Sequence, residues 1–215
     1  MISRLLSIAL GYCFGLFQTA FIIGKIKGID LRHEGSGNLG STNVLRVLGK
    51  KDGIICLVGD IAKTMMACLA AHAIFSGGPL YQGSSLLYMI YAGFGAVLGH
   101  DYPFYLHFKG GKGIAAMAGL IIILDGRIAL MLTVIFFLIV WKTRYVSLGS
   151  LTAMALFLVM WIVFNQAGLV GLSSELRLES YLMVAVAVAL SFIQHRANIK
   201  RLVQGTENKL GAKKR

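Results

Sequence analysis

Ile-Ala-Ala-Met-Ala-Gly-Leu-Ile-Ile-Ile-Leu-Asp-Gly-Arg-Ile-Ala-Leu-Met-Leu-Thr-Val-Ile-Phe-Phe-Leu-Ile-Val-Trp, residues 114–141, is apolar except at its centre, where Asp125-Gly126-Arg127 interrupts it. The stretch reads either as one long tilted helix or as two short helices joined by a turn. A charge near a bilayer centre costs about 2.5 to 3.5 kcal/mol, and a single helix would place two there. A turn at 125–127 avoids both penalties, so two helices are expected, over 114–124 and 128–141.

Composition supports a membrane setting. At 57% hydrophobic, 14% charged and a mean hydropathy of +0.74, the chain is not an ordinary soluble domain. Further apolar stretches run over 5–24, 53–75, 85–100, 151–165 and 180–194. Together these make seven spans, several of them short against the roughly 20 residues that cross a bilayer. Lys and Arg decide the orientation, because they collect on the cytoplasmic side. Seven spans with the N-terminus outside put segments 25–52, 101–113, 142–150 and 195–215 inside. Those segments hold 17 of the 21 cations, Lys213, Lys214 and Arg215 included. Fusing 114–141 into one span would divide the cations almost evenly.

The expected fold is therefore all-α: a polytopic membrane helix bundle of seven short transmembrane helices, N-terminus outside and C-terminus cytoplasmic, forming a single domain over 1–215. The first stretch outruns a signal peptide's apolar region and lacks a clear cleavage site, so it reads as a retained helix. Cys13, Cys56 and Cys68 show no metal or disulfide spacing and read as packing residues. Gly11 with Gly15, and Gly95 with Gly99, lie four apart and permit close helix contact. The net charge of +12 becomes a one-sided cationic face for lipid headgroups and phosphorylated metabolites, with no nucleic-acid partner.

Polar chemistry is concentrated in the four inside segments. Gly35-Ser-Gly-Asn-Leu-Gly-Ser-Thr-Asn-Val-Leu-Arg46 combines glycines, hydroxyls, amides and a forked cation. Backbone N–H groups can approach a phosphate closely there. Its Gly-x-Gly-x-x-Gly satisfies the dinucleotide fingerprint, but no βαβ unit surrounds it. Ser41, Thr42 or Asn43 is expected to cap a short helix running through Arg46. In Gly99–Gly113, Lys109 and Lys112 flank Gly110 and Gly111 at a helix start. This is not a Walker A loop, since Leu106 stands where its first glycine belongs and Gly113 replaces its Ser or Thr. Thr143–Ser150 adds Arg144 and Ser147, and His195–Glu207 opens with His beside Arg.

These segments, over 35–46, 99–113, 144–150 and 195–209, together resemble the bacterial acyl-phosphate:glycerol-3-phosphate acyltransferase family of integral membrane enzymes. The resemblance implies transfer of a fatty acyl group from acyl phosphate to the 1-hydroxyl of glycerol 3-phosphate, giving lysophosphatidic acid and phosphate. It implies no metal or nucleotide cofactor. A soluble acyl-carrier-protein:phosphate acyltransferase would supply the donor, and a monomer in the bacterial cytoplasmic (inner) membrane with its active site on the cytoplasmic face is expected. Ala116 departs from the Thr expected in the family's Lys-Gly-x-Ala-Thr run.

The roles expected from the resemblance fall on named positions. Lys109, Ser147 and His195 are the catalytic set, acting by positioning and by stabilising oxyanion and phosphate. Ser36, Gly37, Asn38, Thr42, Asn43, Arg46, His100, Gly110, Gly111, Lys112, Arg144 and Asn198 are the substrate-binding set. Ser36, Arg46 and Lys109 are assigned to the acceptor phosphate. Thr42, Gly110, Gly111, Lys112, Ser147 and His195 are assigned to the acyl phosphate. Asp60 and Lys63 match the family's Asp-x-x-Lys element and are adjacent at helical spacing; they read either as support for the loop site from below or as a self-satisfied pair. No histidine is followed five residues later by Asp, so the His-x-x-x-x-Asp base of other glycerophosphate acyltransferases is absent. Acyl phosphate is already activated, so positioning and oxyanion stabilisation suffice and the substrate's own phosphate can take the proton. Two other readings are a phosphate-compound transporter, disfavoured by the one-sided motifs, and a membrane lipid phosphatase.

Overall fold

The computed structural model describes residues 1–77 and 84–211; the tail cations Lys213, Lys214 and Arg215 lie outside the described residues. All regular structure among them is helical, in two compact units, Met1–Leu124 and Asp125–Arg215. Five helical segments are long and apolar enough to cross a membrane: Ile2–Ile26, Lys50–Phe75, Gly126–Thr143, Val146–Gln166 and Ser174–Gln194. Ser85–Asp101 and Ile114–Leu124 are shorter.

The unit boundary falls on the turn argued above. Helix α6 (Ile114–Leu124) stops before Asp125 and α7 (Gly126–Thr143) begins after it. Asp125 is the N-cap, its carboxylate accepting from the backbone N–H groups of Arg127 and Ile128 at 2.9 and 3.3 Å. The Arg127 guanidinium, 2.6 Å away, holds that carboxyl below the usual carboxylate range. Arg127 also donates to the Leu169 carbonyl at 2.8 Å, so both charges are satisfied at a helix end.

In the first unit, the stretch 5–24 is not one helix. Helix α1 (Ile2–Gly15) is followed after a break by α2 (Thr19–Ile26), then α3 (Ser41–Leu48), α4 (Lys50–Phe75) and α5 (Ser85–Asp101). The break is held by Gln18, whose Nε2 donates to the carbonyls of Gly99 and His100 at the end of α5, at 3.3 and 2.8 Å. The buried stripe of α1 is Ser3, Ser7, Gly11 and Gly15, one residue every four. It packs backbone to backbone on α5: a Cβ on Gly11 would overlap the Ala92 carbonyl, and one on Gly95 the Ile8 carbonyl. Small residues take this seam because lipid offers no hydrophobic drive between helices, and close packing must supply the attraction. Gly11→Ala and Gly95→Ala should each destabilise by about 1 to 3 kcal/mol through overpacking. Thermal unfolding in detergent would check this against Gly77→Ala, where the added methyl meets open space.

The second unit continues with α8 (Val146–Gln166), α9 (Ser174–Gln194) and α10 (Arg196–Val203). The segments 142–150 and 195–215 were expected as loops, yet much of both is helical. Only Arg144 and Tyr145 separate α7 from α8, because Arg144 at φ 63° reverses the chain as a left-handed cap. Trp161 Nε1 donates to Ser180 Oγ at 3.2 Å, tying α8 to α9. Leu130, Phe137, Leu138 and Trp141 of α7, with Leu178 and Leu182 of α9, are each more than half exposed. Helices that bury serine and glycine while exposing leucine are suited to lipid rather than water.

Candidate active site

The glycine segment 35–46 is organised by an amide rather than by a hydroxyl cap. Helix α3 has Gly40 in extended conformation as its N-cap and no side-chain cap, so the expected capping by Ser41, Thr42 or Asn43 is corrected. Asn43 is buried and turned back on the segment. Its Oδ1 accepts from the Ser36 N–H at 2.7 Å, and its Nδ2 donates to the carbonyls of Leu31 and Glu34 at 3.2 and 3.0 Å. Gly35 and Gly37 sit at φ 61° and 70°, a region that favours glycine, and a Cβ on Gly35 would strike Asn43 Oδ1. Ser36, Gly37 and Arg46 are exposed, Asn38 and Thr42 half-buried, and Thr42 and Arg46 share a face one turn apart.

The segment after α5 folds against this one. A 3-10 turn at Phe104–Leu106 leads into His107 and Phe108, both left-handed at φ 54° and 57°. That strained pair delivers Lys109 to the surface. Gly110 and Gly111 then donate their N–H groups to the carbonyls of Asp101 and His100, each at 3.0 Å. Arg32, His33, Gly37, Leu106, His107, Lys109 and Gly110 line one cavity of about 450 Å³. Of the residues assigned to substrate, Gly37, Lys109 and Gly110 line this cavity; Arg32, His33 and His107, which also line it, were not foreseen. Arg32 is held at 2.7 Å by Asp30. Hydrogen bonds from the Arg32 side chain and backbone bring the Asp30 carboxyl down to about 2, so this pair stays ionised at any physiological pH. Lys109 makes no ion pair among the described residues and is the cavity's unneutralised ammonium. Lys112 lies just before α6, whose N-terminus adds partial positive charge.

Beneath the turn lies a buried polar cluster. Asp60 and Lys63, expected to be adjacent, are 2.9 Å apart and each 1% exposed. Lys63 Nζ also reaches the Phe17 carbonyl and His100 Nδ1, both at 2.8 Å. The i, i+3 pair was legible in sequence, but its third and fourth partners come from the α1–α2 break and the end of α5. Lys63 further lines an apolar groove of about 510 Å³ between α1 and α4, with Cys13, Phe14, Phe17, Gly59, Ala62 and Met66.

In the second unit, the third and fourth polar segments meet on Glu207. Its Oε1 accepts from Ser147 Oγ at 3.0 Å and Asn198 Nδ2 at 2.7 Å, and its Oε2 from Arg201 Nε at 2.7 Å. Arg144 donates through Nε and Nη2 to the Leu210 carbonyl at 3.0 and 2.8 Å, and the Lys209 ammonium lies 5.6 Å from the Tyr145 ring centre. His195 is buried, and its Nδ1 lies 2.8 Å from the Ser191 carbonyl, which can only accept. The neutral ring therefore carries its proton on Nδ1 and its lone pair on Nε2. Glu207 was missed as an organising residue, although it is the lone acid of the basic stretch 195–215. That isolation was the available signal.

Residues 5–205 match the sequence pattern of the family described as Glycerol-3-phosphate acyltransferase. The glycerol-3-phosphate acyltransferase of Clostridioides difficile is 40% identical over 217 residues, covering 99% of this chain and 98% of its own. That of Shouchella clausii is 41% identical over 216 residues, with coverage of 99% and 98%. Among solved structures, PlsY (YgiH), an integral membrane glycerol 3-phosphate acyltransferase, superposes in its glycerol 3-phosphate form with a TM-score of 0.81 at 34% identity, covering 97% of this chain and 96% of that one. Its lysophosphatidic acid form gives 0.79 at 33% with the same coverage. On this agreement of sequence and fold along nearly its whole length, the chain belongs to the glycerol-3-phosphate acyltransferase family of integral membrane enzymes.

Proposed function

We propose that the chain takes its acyl group from acyl phosphate and places it on the 1-hydroxyl of glycerol 3-phosphate, giving lysophosphatidic acid and phosphate. The observation that carries this reading is the pairing, in one unit, of a cavity bearing an unneutralised ammonium with an apolar groove. Lys109 stands in the first, and Lys63 lines the second while touching His100 below the Gly110–Gly111 turn. A phosphorylated, water-soluble acceptor suits the cavity; a fatty chain suits the groove.

Ser36, Arg46 and Lys109 hold the acceptor phosphate, with Gly37 and Asn38 giving backbone access. Thr42, Gly110, Gly111 and Lys112 receive the acyl phosphate in the first unit; Ser147 and His195 keep the role toward acyl phosphate that the family resemblance gives them, and Arg144 and Asn198 remain in its substrate-binding set. The leaving phosphate takes the hydroxyl proton, so catalysis rests on orientation and on donors aimed at the developing oxyanion. The 215 residues act as one domain, as a monomer, in seven spans with the N-terminus outside. The polar segments then face the cytoplasm, where a soluble acyl-carrier-protein:phosphate acyltransferase supplies the donor. The gathering of 17 of the 21 Lys and Arg residues in those segments supports that orientation.

Purified protein should form lysophosphatidic acid from glycerol 3-phosphate with acyl phosphate, and not with acyl-CoA or acyl carrier protein thioester. Equal rates with a thioester would end the acyl phosphate reading. Asn43→Ala removes three anchors of the 31–36 backbone, each worth about 1 kcal/mol. It should raise KM for glycerol 3-phosphate about tenfold or more, with a smaller change in kcat; an unchanged KM would show that the segment does not hold the acceptor.

A further inference from the structure

Asp60 and Lys63 are fully buried charges, and no step above uses them. With the Asp60 carboxylate 2.9 Å away, Lys63 is an ammonium, and its three protons meet three acceptors: Asp60 Oδ1, the Phe17 carbonyl and His100 Nδ1. An ammonium can only donate. His100 Nδ1 therefore accepts through its lone pair, and the neutral ring carries its proton on Nε2. A serine or an amide in place of Lys63 could either donate or accept and would leave both tautomers populated. A buried cation imposes one of them. Asp60 balances that cation, and its Oδ1 also accepts from the Thr19 hydroxyl at 3.0 Å. His100 Nε2 occupies the space that a Cβ of Gly111 would need, directly against the turn.

We propose that Asp60 and Lys63 are positioning residues that hold His100 as a neutral Nε2–H donor beneath the Gly110–Gly111 turn, and that this N–H donates to an oxygen of the phosphate-bearing substrate seated there. His100 is then no general base, because its accepting nitrogen is occupied by Lys63. It contributes a fixed hydrogen bond where negative charge gathers. The identity of that oxygen rests on the acyl-transfer reading; the tautomer does not.

The test starts with nitrogen NMR of 15N-histidine-labelled protein in lipid nanodiscs, with the His100 signals assigned by their loss in His100→Gln. The expected ring has a protonated Nε2 and an unprotonated Nδ1; a ring protonated on Nδ1 overturns the proposal. Asp60→Asn with Lys63→Met removes both charges together. It should release a mixture of tautomers and lower kcat about two- to tenfold, in proportion to the rings that lose the Nε2 proton, with KM for glycerol 3-phosphate nearly unchanged; a ring that stays protonated on Nε2 alone overturns the positioning role. His100→Gln, whose amide nitrogen can stand near Nε2, should keep far more kcat than His100→Asn, and equal losses overturn the donor role. This pair and the wild-type spectrum decide the matter should the double variant fail to fold. Wild-type protein that makes no lysophosphatidic acid would defeat the acyl-transfer reading while leaving the measured tautomer in place.

Discussion

Gly110→Ala should lower kcat/KM for acylation of glycerol 3-phosphate by about 100-fold while leaving a folded protein. The methyl group has no room: it would overlap the His100 carbonyl oxygen and crowd Pro103 Cδ and the Asp101 carbonyl. Two of these three neighbours are backbone at the end of α5, and neither can rotate aside as a side chain would. The turn must open instead, breaking the Gly110 and Gly111 hydrogen bonds to Asp101 and His100. Overpacking of this kind costs about 1 to 3 kcal/mol of stability, which a helix bundle can survive. Catalysis is less forgiving, since displacing a positioning element by about 1 Å can cost 100-fold in rate. Lys109 precedes this turn and Lys112 follows it, so both ammonium groups move with it. Gly126→Ala, at a site with nothing within reach of the new methyl, is the matched control and should retain wild-type kinetics. A Gly110→Ala enzyme with wild-type kcat/KM would show that the turn does not position substrate.

Glu207→Ala should cause the largest loss of stability of any single change considered. The carboxylate is 5% exposed and accepts from Ser147, Asn198 and Arg201, joining α8, α10 and the chain that follows α10. Removing this acceptor costs about 1 to 3 kcal/mol for each buried neutral donor that loses it. Arg201 is 35% exposed and can turn to water, so its share is small. Ser147 and Asn198 are 6% and 8% exposed, so water cannot readily replace the bond each makes to Glu207. Glu207→Gln should recover only part of the loss, since its NH₂ would face another donor. Thermal unfolding in detergent, read beside acyltransfer activity, checks both. A Glu207→Ala protein that melts with wild type would mean that the tail does not hold the second unit together. Activity should fall in parallel, because Ser147 and Asn198 are held in place by the same carboxylate.

The helical layout was largely legible because it depends on local sums. Apolar length and the Asp125-Gly126-Arg127 interruption predict α6 and α7 as separate helices, and the stretches over 53–75 and 85–100 lie within α4 and α5. The glycine pairs of α1 and α5 were legible as well, since four-residue spacing places them on one helix face. What escaped was any contact set by a single side chain. Hydroxyls beside a glycine suggested a capped helix, but Asn43 bonds backwards to Ser36, Leu31 and Glu34, and no propensity reports which way an amide turns. The break between α1 and α2 was missed because Leu16 and Phe17 are as apolar as their neighbours and a single amide does not mark a bend, while the partners through which Gln18 stabilises it lie about 80 residues away. Arg144 and Ser147 looked like loop residues because polarity marks a segment end without showing that a left-handed cap needs only two residues to reverse it.

By itself the sequence determined the class of chemistry: a membrane-embedded chain whose cations, glycines and hydroxyls gather in four segments suited to phosphate. These are properties of composition and order, and they do not depend on how helices pack. Only the tertiary structure decided which polar groups are occupied by one another. It set Glu207 against Ser147 and Asn198, and it enclosed Asp60, Lys63 and His100 under a turn where glycine alone fits. The physical reason is that a hydrogen bond is made or lost over a few tenths of an ångström. Packing of distant segments sets that scale, and one-dimensional pattern does not.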